Sequence, residues 1–163
     1  YALWLFLGER RPSTARAWEP LLQVGVLGLV ALQTVYGAFM AGKRAGWLAS
    51  TFPDVQGHYL PFAFVDAQGW VHAALYGGLM IHWIHRVLAV FVVLACFGLA
   101  GLAWHDRRRP ALAVAALAAF QFLLGVLTVV YSVPIPIAVA HQANALLLCS
   151  AVLWLFHDSK AAA

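Results

Sequence analysis

The sequence predicts an all-α membrane protein, a polytopic four-helix bundle, on three observations. Of 163 residues, 64% are hydrophobic and only 10% charged, against about a quarter charged in a soluble domain; mean hydropathy is +0.83. Four apolar runs, near 21–41, 79–103, 111–133 and 137–156, each approach the roughly 20 residues that cross a bilayer. The basic residues also take sides. Arg10, Arg11, Arg16, Arg107, Arg108, Arg109 and Lys160 fall on one side of a four-span weave and Lys43 and Arg44 on the other, with Arg86 close to the start of the second span. The positive-inside rule then puts both ends and the turn at 107–109 in the cytoplasm or its equivalent. This asymmetry accounts for the formal charge of +4, so membrane lipid is an expected partner and nucleic acid is not.

The elements follow in order. Residues 1–19 read as the tail of a preceding helix plus a cytoplasmic linker. Leu3-Trp4-Leu5-Phe6 recurs as Leu153-Trp154-Leu155-Phe156 at the inner end of the fourth span, and the chain opens without Met. Both features lead us to expect an earlier homologous half. Pro12, Ser13 and Thr14 break the chain, and Pro20 suits a helix N-terminus, opening a four-helix unit at 20–157. The outer segment, about 42–78, is the only long loop, and long loops are usually functional or disordered. Trp47, Phe52, Tyr59, Phe62, Phe64 and Trp70 argue against disorder and predict a folded cap with aromatic residues at the interface. Pro110 is placed to open the third span after the basic turn. Ser132, Val133, Pro134, Ile135 and Pro136 predict a tight outer turn, because proline disfavours a helical conformation in the residue before it. Residues 158–163 are a cytoplasmic tail. Cys96 and Cys149 lie inside spans without a C-x-x-C motif and read as small packing residues.

The weave contains an internal repeat. Leu32-Gln33-Thr34-Val35-Tyr36-Gly37 in the first span parallels Phe120-Gln121-Phe122-Leu123-Leu124-Gly125 in the third, and each of these spans precedes one with a histidine near its outer start, His85 or His141. Two helix pairs related by a pseudo-twofold axis along the membrane normal are expected. A site on that axis would receive one histidine from each pair. An intramembrane imidazole is a functional residue by default, and two suggest the axial ligands of one haem iron. Zinc would want further ligands, and a proton relay would want carboxylates; the span cores have no Asp or Glu. Each Gln shares a helix face with the Gly four residues on. Those glycines either let a flat macrocycle approach the backbone or serve helix packing. Arg86 would either pair with a propionate or snorkel to headgroups. Of the other histidines among the seven, His82 reads as a supporting or alternative ligand. His105 and His157 read as solvated at inner helix ends, and His58 and His72 stay unassigned in or near the outer loop.

These residues resemble one family. Gly37-Ala38-Phe39-Met40-Ala41-Gly42-Lys43-Arg44-Ala45-Gly46-Trp47, followed by Thr51-Phe52-Pro53 and Gly57, resembles the Gly-Ala-x-Val-Ala-Gly-x-x-Ala-Gly … Asn-Thr-Trp-Pro … Asp-Gly segment of haem A synthases. His85-Arg86-x-Leu88-Ala89 resembles their His-Arg motif. Gln121-x-x-x-Gly125-x-x-Thr128, Val133-Pro134 and Ala140-His141-Gln142-Ala143 resemble their last two helices. The chain departs from the pattern at Ser50 and Phe52, lacks the Phe-Glu-Asn stretch before the His-Arg motif, and has no outer-loop cysteine. The family is built of two homologous four-helix halves, and this chain is similar to the C-terminal one. The resemblance implies that His85 and His141 ligate a haem b. From the repeat and the outer helix start we expect Arg86, Gln33, Gly37, Gln121 and Gly125 to line its site, in a bacterial plasma membrane or mitochondrial inner membrane. The resemblance also implies oxidation of a haem O methyl group to the formyl group of haem A, with haem O bound in a missing N-terminal half or a second copy. Haem O synthase is a candidate partner. The alternatives are a b-type electron-transfer cytochrome and a non-haem oxidase assembly or scaffold protein.

Overall fold

The computed structural model describes residues 19–160, so the expected preceding-helix tail and the Leu3–Phe6 echo lie outside the described residues. Its helices are α1 (Glu19–Gly42), α2 (Trp70–Tyr76), α3 (Gly78–Ala103), α4 (Arg108–Val130) and α5 (Ile135–Lys160). All but the short α2 are long and apolar enough to cross a membrane, matching the four expected spans.

The helix ends depart from the sequence reading for one reason. The first N–H groups of a helix have no intrahelical acceptor, so proline is tolerated there. Pro136 therefore lies inside the first turn of α5 rather than in the preceding loop, and the Pro134 carbonyl accepts from Ala138 N–H at 2.9 Å. Likewise α4 starts ahead of Pro110, with the Arg107 carbonyl accepting from Ala111 N–H at 3.0 Å. The α4–α5 turn is thus short, and Ser132 and Val133 take left-handed φ values of 57° and 63°, which a β-branched residue rarely adopts. Val133 N–H closes the turn on the Thr128 carbonyl at 2.7 Å. Its side chain lies over Gly46, where a Cβ would come within 2.8 Å of Val133 Cγ2.

The spanning helices pack as a ring, α1 on α3, α3 on α4, α4 on α5 and α5 back on α1. So α1 and α4 are one diagonal pair, and α3 and α5 the other. Packing is uneven along the ring. At the end with the basic turn, Val26, Val30, Val92, Cys96, Leu99, Val114, Ala118, Leu148, Val152 and Leu155 form one buried cluster. Towards the loop end the bundle's interior positions are mostly half-buried (Gln33, Tyr36, Gly37, His85, Leu88, Gln121, Gly125, His141).

The segment between α1 and α3 folds as expected, over its own small core of Ala49, Val55, Phe64, Ala73 and Met80. It passes into α3 through a bend at Gly77, where a Cβ would come 2.8 Å from the Ala73 carbonyl oxygen. Trp83 of α3 donates its indole N–H to the Tyr59 carbonyl at 2.9 Å, fastening this cap to the bundle.

Candidate functional site

His85 and His141 stand on the diagonal helices α3 and α5. At 1.5 Å per residue each lies about 10 Å below the loop end of its helix. Each imidazole leans on the neighbouring helix of its own pair. His85 Nε2 is 3.3 Å from the Gln33 amide nitrogen on α1, and His141 Nε2 is 3.3 Å from the Gln121 amide nitrogen on α4.

The glycines complete each seat. A Cβ on Gly37 would meet His85 Cε1 at 3.4 Å, and one on Gly125 would meet His141 Cε1 at 3.2 Å. The notch that a Gln-x-x-x-Gly face leaves on a helix is therefore filled by an imidazole edge: Gln grips a ring nitrogen, and Gly admits the carbon beside it. The glycines, read either as room for a macrocycle or as helix packing, make room for a histidine in this structure.

The amide orientations follow from the acceptors around them. The Gln33 NH2 also donates to the His85 backbone carbonyl at 3.1 Å, and a carbonyl can only accept. On the other side Asn144 of α5, 4% exposed, donates to the Leu117 carbonyl at 3.0 Å and to Gln121 Oε1 at 2.8 Å. Sequence reasoning passed over Asn144. The available signal was a second amide, after Gln142, inside an apolar span and one turn after His141.

Arg86 and His82 turn elsewhere. The Arg86 guanidinium reaches up to the cap, donating to the Asp54 carbonyl and, at 3.5 Å each, to the carbonyls of Pro53 and Ala49. It also lies over the Phe52 ring. His82 is fully buried, and its Nε2 accepts from Arg86 Nη2 at 3.1 Å. The pair thus joins α3 to the loop at 49–54. Thr128 turns its hydroxyl back to the Leu124 carbonyl at 2.7 Å, away from the histidines.

In the cap, His72 Nδ1 sits 2.7 Å from Asp66 Oδ2, and this bond holds the Asp66 carboxyl below its ordinary range. Asp54 is also held low, chiefly by the Gly57 N–H and then by the Thr51 hydroxyl. His58 packs edge-on against Phe64. His157, expected to be solvated, is buried at 7% exposure within the last turns of α5.

The donor set can be tested against a haem. Among the described residues no group of three or more His, Cys, Asp or Glu gathers to hold a metal ion. A haem brings its own four in-plane donors and asks the protein only for axial ones, so two imidazoles suffice. Both rings are also short of partners, with Nδ1 of each buried and unbonded, as is Gln33 Oε1. Buried polar groups are ordinarily satisfied, so this polar centre, in the loosely packed part of the bundle, is incomplete in the way a prosthetic-group site is.

Fold and site together define a polytopic helical membrane protein with a histidine pair on diagonal helices. The chain belongs to the family described as cytochrome oxidase assembly protein, whose model matches residues 1–153. It is 34% identical to a heme A synthase of Rhizorhabdus wittichii over 95% of its own length and 46% of that protein. It is 35% identical to a heme A synthase of Anaplasma marginale over 83% of its length and 39% of that protein, and 32% identical to one of Parvibaculum lavamentivorans over 81% and 39%. The chain therefore spans less than half the length of these curated relatives. No solved structure matches it. The resemblance to haem A synthases holds, and with its four apolar spans the chain is an integral membrane protein.

Proposed function

We propose that this chain is the haem b-binding half of a haem A synthase, with His85 and His141 as the axial ligands. The observation that carries this reading is the recurrence of one contact set, Gln to His ring nitrogen and Gly to His Cε1, on both sides of the bundle. Two helix pairs making the same seat support a pseudo-twofold repeat, with one ligand from each pair.

A bound haem would supply one-electron transfer between its ferric and ferrous forms. The chain's residues do the rest. Gln33 and Gln121 orient the imidazoles, and Gly37 and Gly125 let those rings lie close to the neighbouring helix. The buried cluster around Cys96 and Val152 closes the basic end against water, and the cap over Val55 and Phe64 covers the other. Arg86, beside the ligand and tied to the cap through its terminal nitrogens, has an unpaired Nε–H that would answer a propionate. On this reading haem O, whose methyl group becomes the formyl group of haem A, is oxidised in a second homologous half or a second copy. This chain keeps the cofactor that passes electrons.

The test is spectroscopic. The chain, produced in detergent with haem, should give a reduced low-spin bis-imidazole spectrum at one haem per chain, lost in His85→Ala and in His141→Ala. A spectrum that survives both substitutions overturns the ligand assignment. Absence of stoichiometric haem from the unaltered chain overturns the function.

A further inference from the structure

The two histidines are seated alike, but the seats are built by different means. On the α1–α3 side the Gln33 NH2 has two acceptors, the His85 carbonyl and His85 Nε2. The first is a backbone oxygen, so the amide cannot turn over without facing one oxygen with another. His85 thereby orients its own glutamine. On the α4–α5 side no backbone carbonyl among the described residues does this for Gln121; Asn144 does. Its NH2 is fixed by the Leu117 carbonyl, its other N–H goes to Gln121 Oε1 at 2.8 Å, and the Gln121 NH2 is left facing His141 Nε2. Along α3 the residue three after the histidine is Leu88, which has nothing to donate.

We propose that Asn144 is a positioning residue that acts through Gln121 to fix the tautomer of His141. A donor held against Nε2 requires that nitrogen to present its lone pair, and a neutral imidazole then carries its proton on Nδ1. The chain Leu117 carbonyl, Asn144, Gln121, His141 therefore points one way from end to end. Reversing it means turning two amides together and leaving the Asn144 carbonyl against the Leu117 carbonyl. Both rings end in the same state, Nε2 as acceptor and Nδ1 protonated, one held by its own backbone and the other by a neighbour's side chain. An incoming metal would find a lone pair at Nε2 on each ring once the amide yields, with no proton to move. That consequence rests on the haem reading above; the tautomer assignment does not.

Nitrogen-15 histidine spectra of the full chain, haem-free in detergent at a pH where the imidazoles are neutral, read each ring's tautomer directly. His141 should show the Nδ1-protonated form, as should His85. Asn144→Leu should turn the His141 signals into a mixture of tautomers while leaving those of His85 in place, and Gln121→Leu should do the same. In the Gln121→Leu background, adding Asn144→Leu should change the His141 tautomer no further, because Asn144 acts only through the glutamine. An unaltered chain whose His141 is protonated on Nε2 overturns the proposal, whatever the variants do. So does an Asn144→Leu chain with a proper His85 signal and an unchanged His141. If Asn144→Leu fails to fold, the unaltered chain and Gln121→Leu decide between the same two outcomes. An unaltered chain that takes up no haem and still shows His141 protonated on Nδ1 overturns the haem reading and leaves this one standing.

Discussion

Each histidine's geometry is set by a glycine that gives it room, and the two clearances differ. An added Cβ at Gly37 meets its imidazole at 3.4 Å, an ordinary contact, whereas at Gly125 the gap is 3.2 Å and the His141 ring must give by a few tenths of an ångström. Alanine is also the better helix former by roughly 0.5–1 kcal/mol, so neither change should weaken its helix. Gly125→Ala should therefore keep the fold and lose haem, while Gly37→Ala loses little, as read by the haem-to-protein ratio after purification and by helicity. Equal losses, or the reverse order, would show that the glycines do not act through the imidazoles. The Gln-x-x-x-Gly motif was legible in the sequence as a repeated, polar helix face. What the face holds was not, since spacing places residues on a helix but cannot say which neighbour fills the notch.

At the scale of elements, the cap is fastened to α3 by the Trp83 indole and the Arg86 guanidinium and braced within by two carboxylates. Arg86 spreads its fixed fork of donors over the carbonyls of Ala49, Pro53 and Asp54, which the single ammonium of lysine cannot do. Arg86→Lys should speed hydrogen exchange across 49–57 while leaving exchange in α4 unchanged; equal protection in both proteins would remove Arg86 as the clamp. Acid should loosen the same element. Asp54 and Asp66 are held below the ordinary Asp value of about 3.9, so their contribution is present above that value and fades as pH falls through the lowered ones. Tryptophan fluorescence should report the cap opening below about pH 4 with helicity retained, and Asp66→Asn should flatten that transition; an unchanged acid profile would assign it to other groups. The aromatic content of the loop foretold a folded cap. It gave no sign that Arg86 would turn to it, because a guanidinium takes whichever carbonyls the fold brings near, and those come from residues more than thirty positions away in sequence.

Over the whole molecule, stability and function occupy different ends of the bundle. The four spans and the short turns either side of the third could be read from hydropathy and proline placement, because membrane helices are dictated by length and apolarity. How tightly each half packs could not, since hydropathy places the polar Gln and His positions in the loop-end half but does not report how closely the apolar side chains around them meet. Val152 is fully buried in the tight half, and Val152→Ala should lower stability by about 1–2 kcal/mol through lost packing, with or without haem, and leave haem stoichiometry intact. The loose half should behave oppositely. A ligand that binds only the folded state adds about 2.7 kcal/mol at a hundredfold excess over its Kd, so haem should raise the thermal midpoint of the unaltered chain and of Val152→Ala by similar amounts. It should raise neither His85→Ala nor His141→Ala. Thermal unfolding of the four proteins with and without haem checks this. A Val152→Ala chain that loses its haem response as fully as the histidine variants would show that the two ends are one cooperative site, and the division of labour would fall with it.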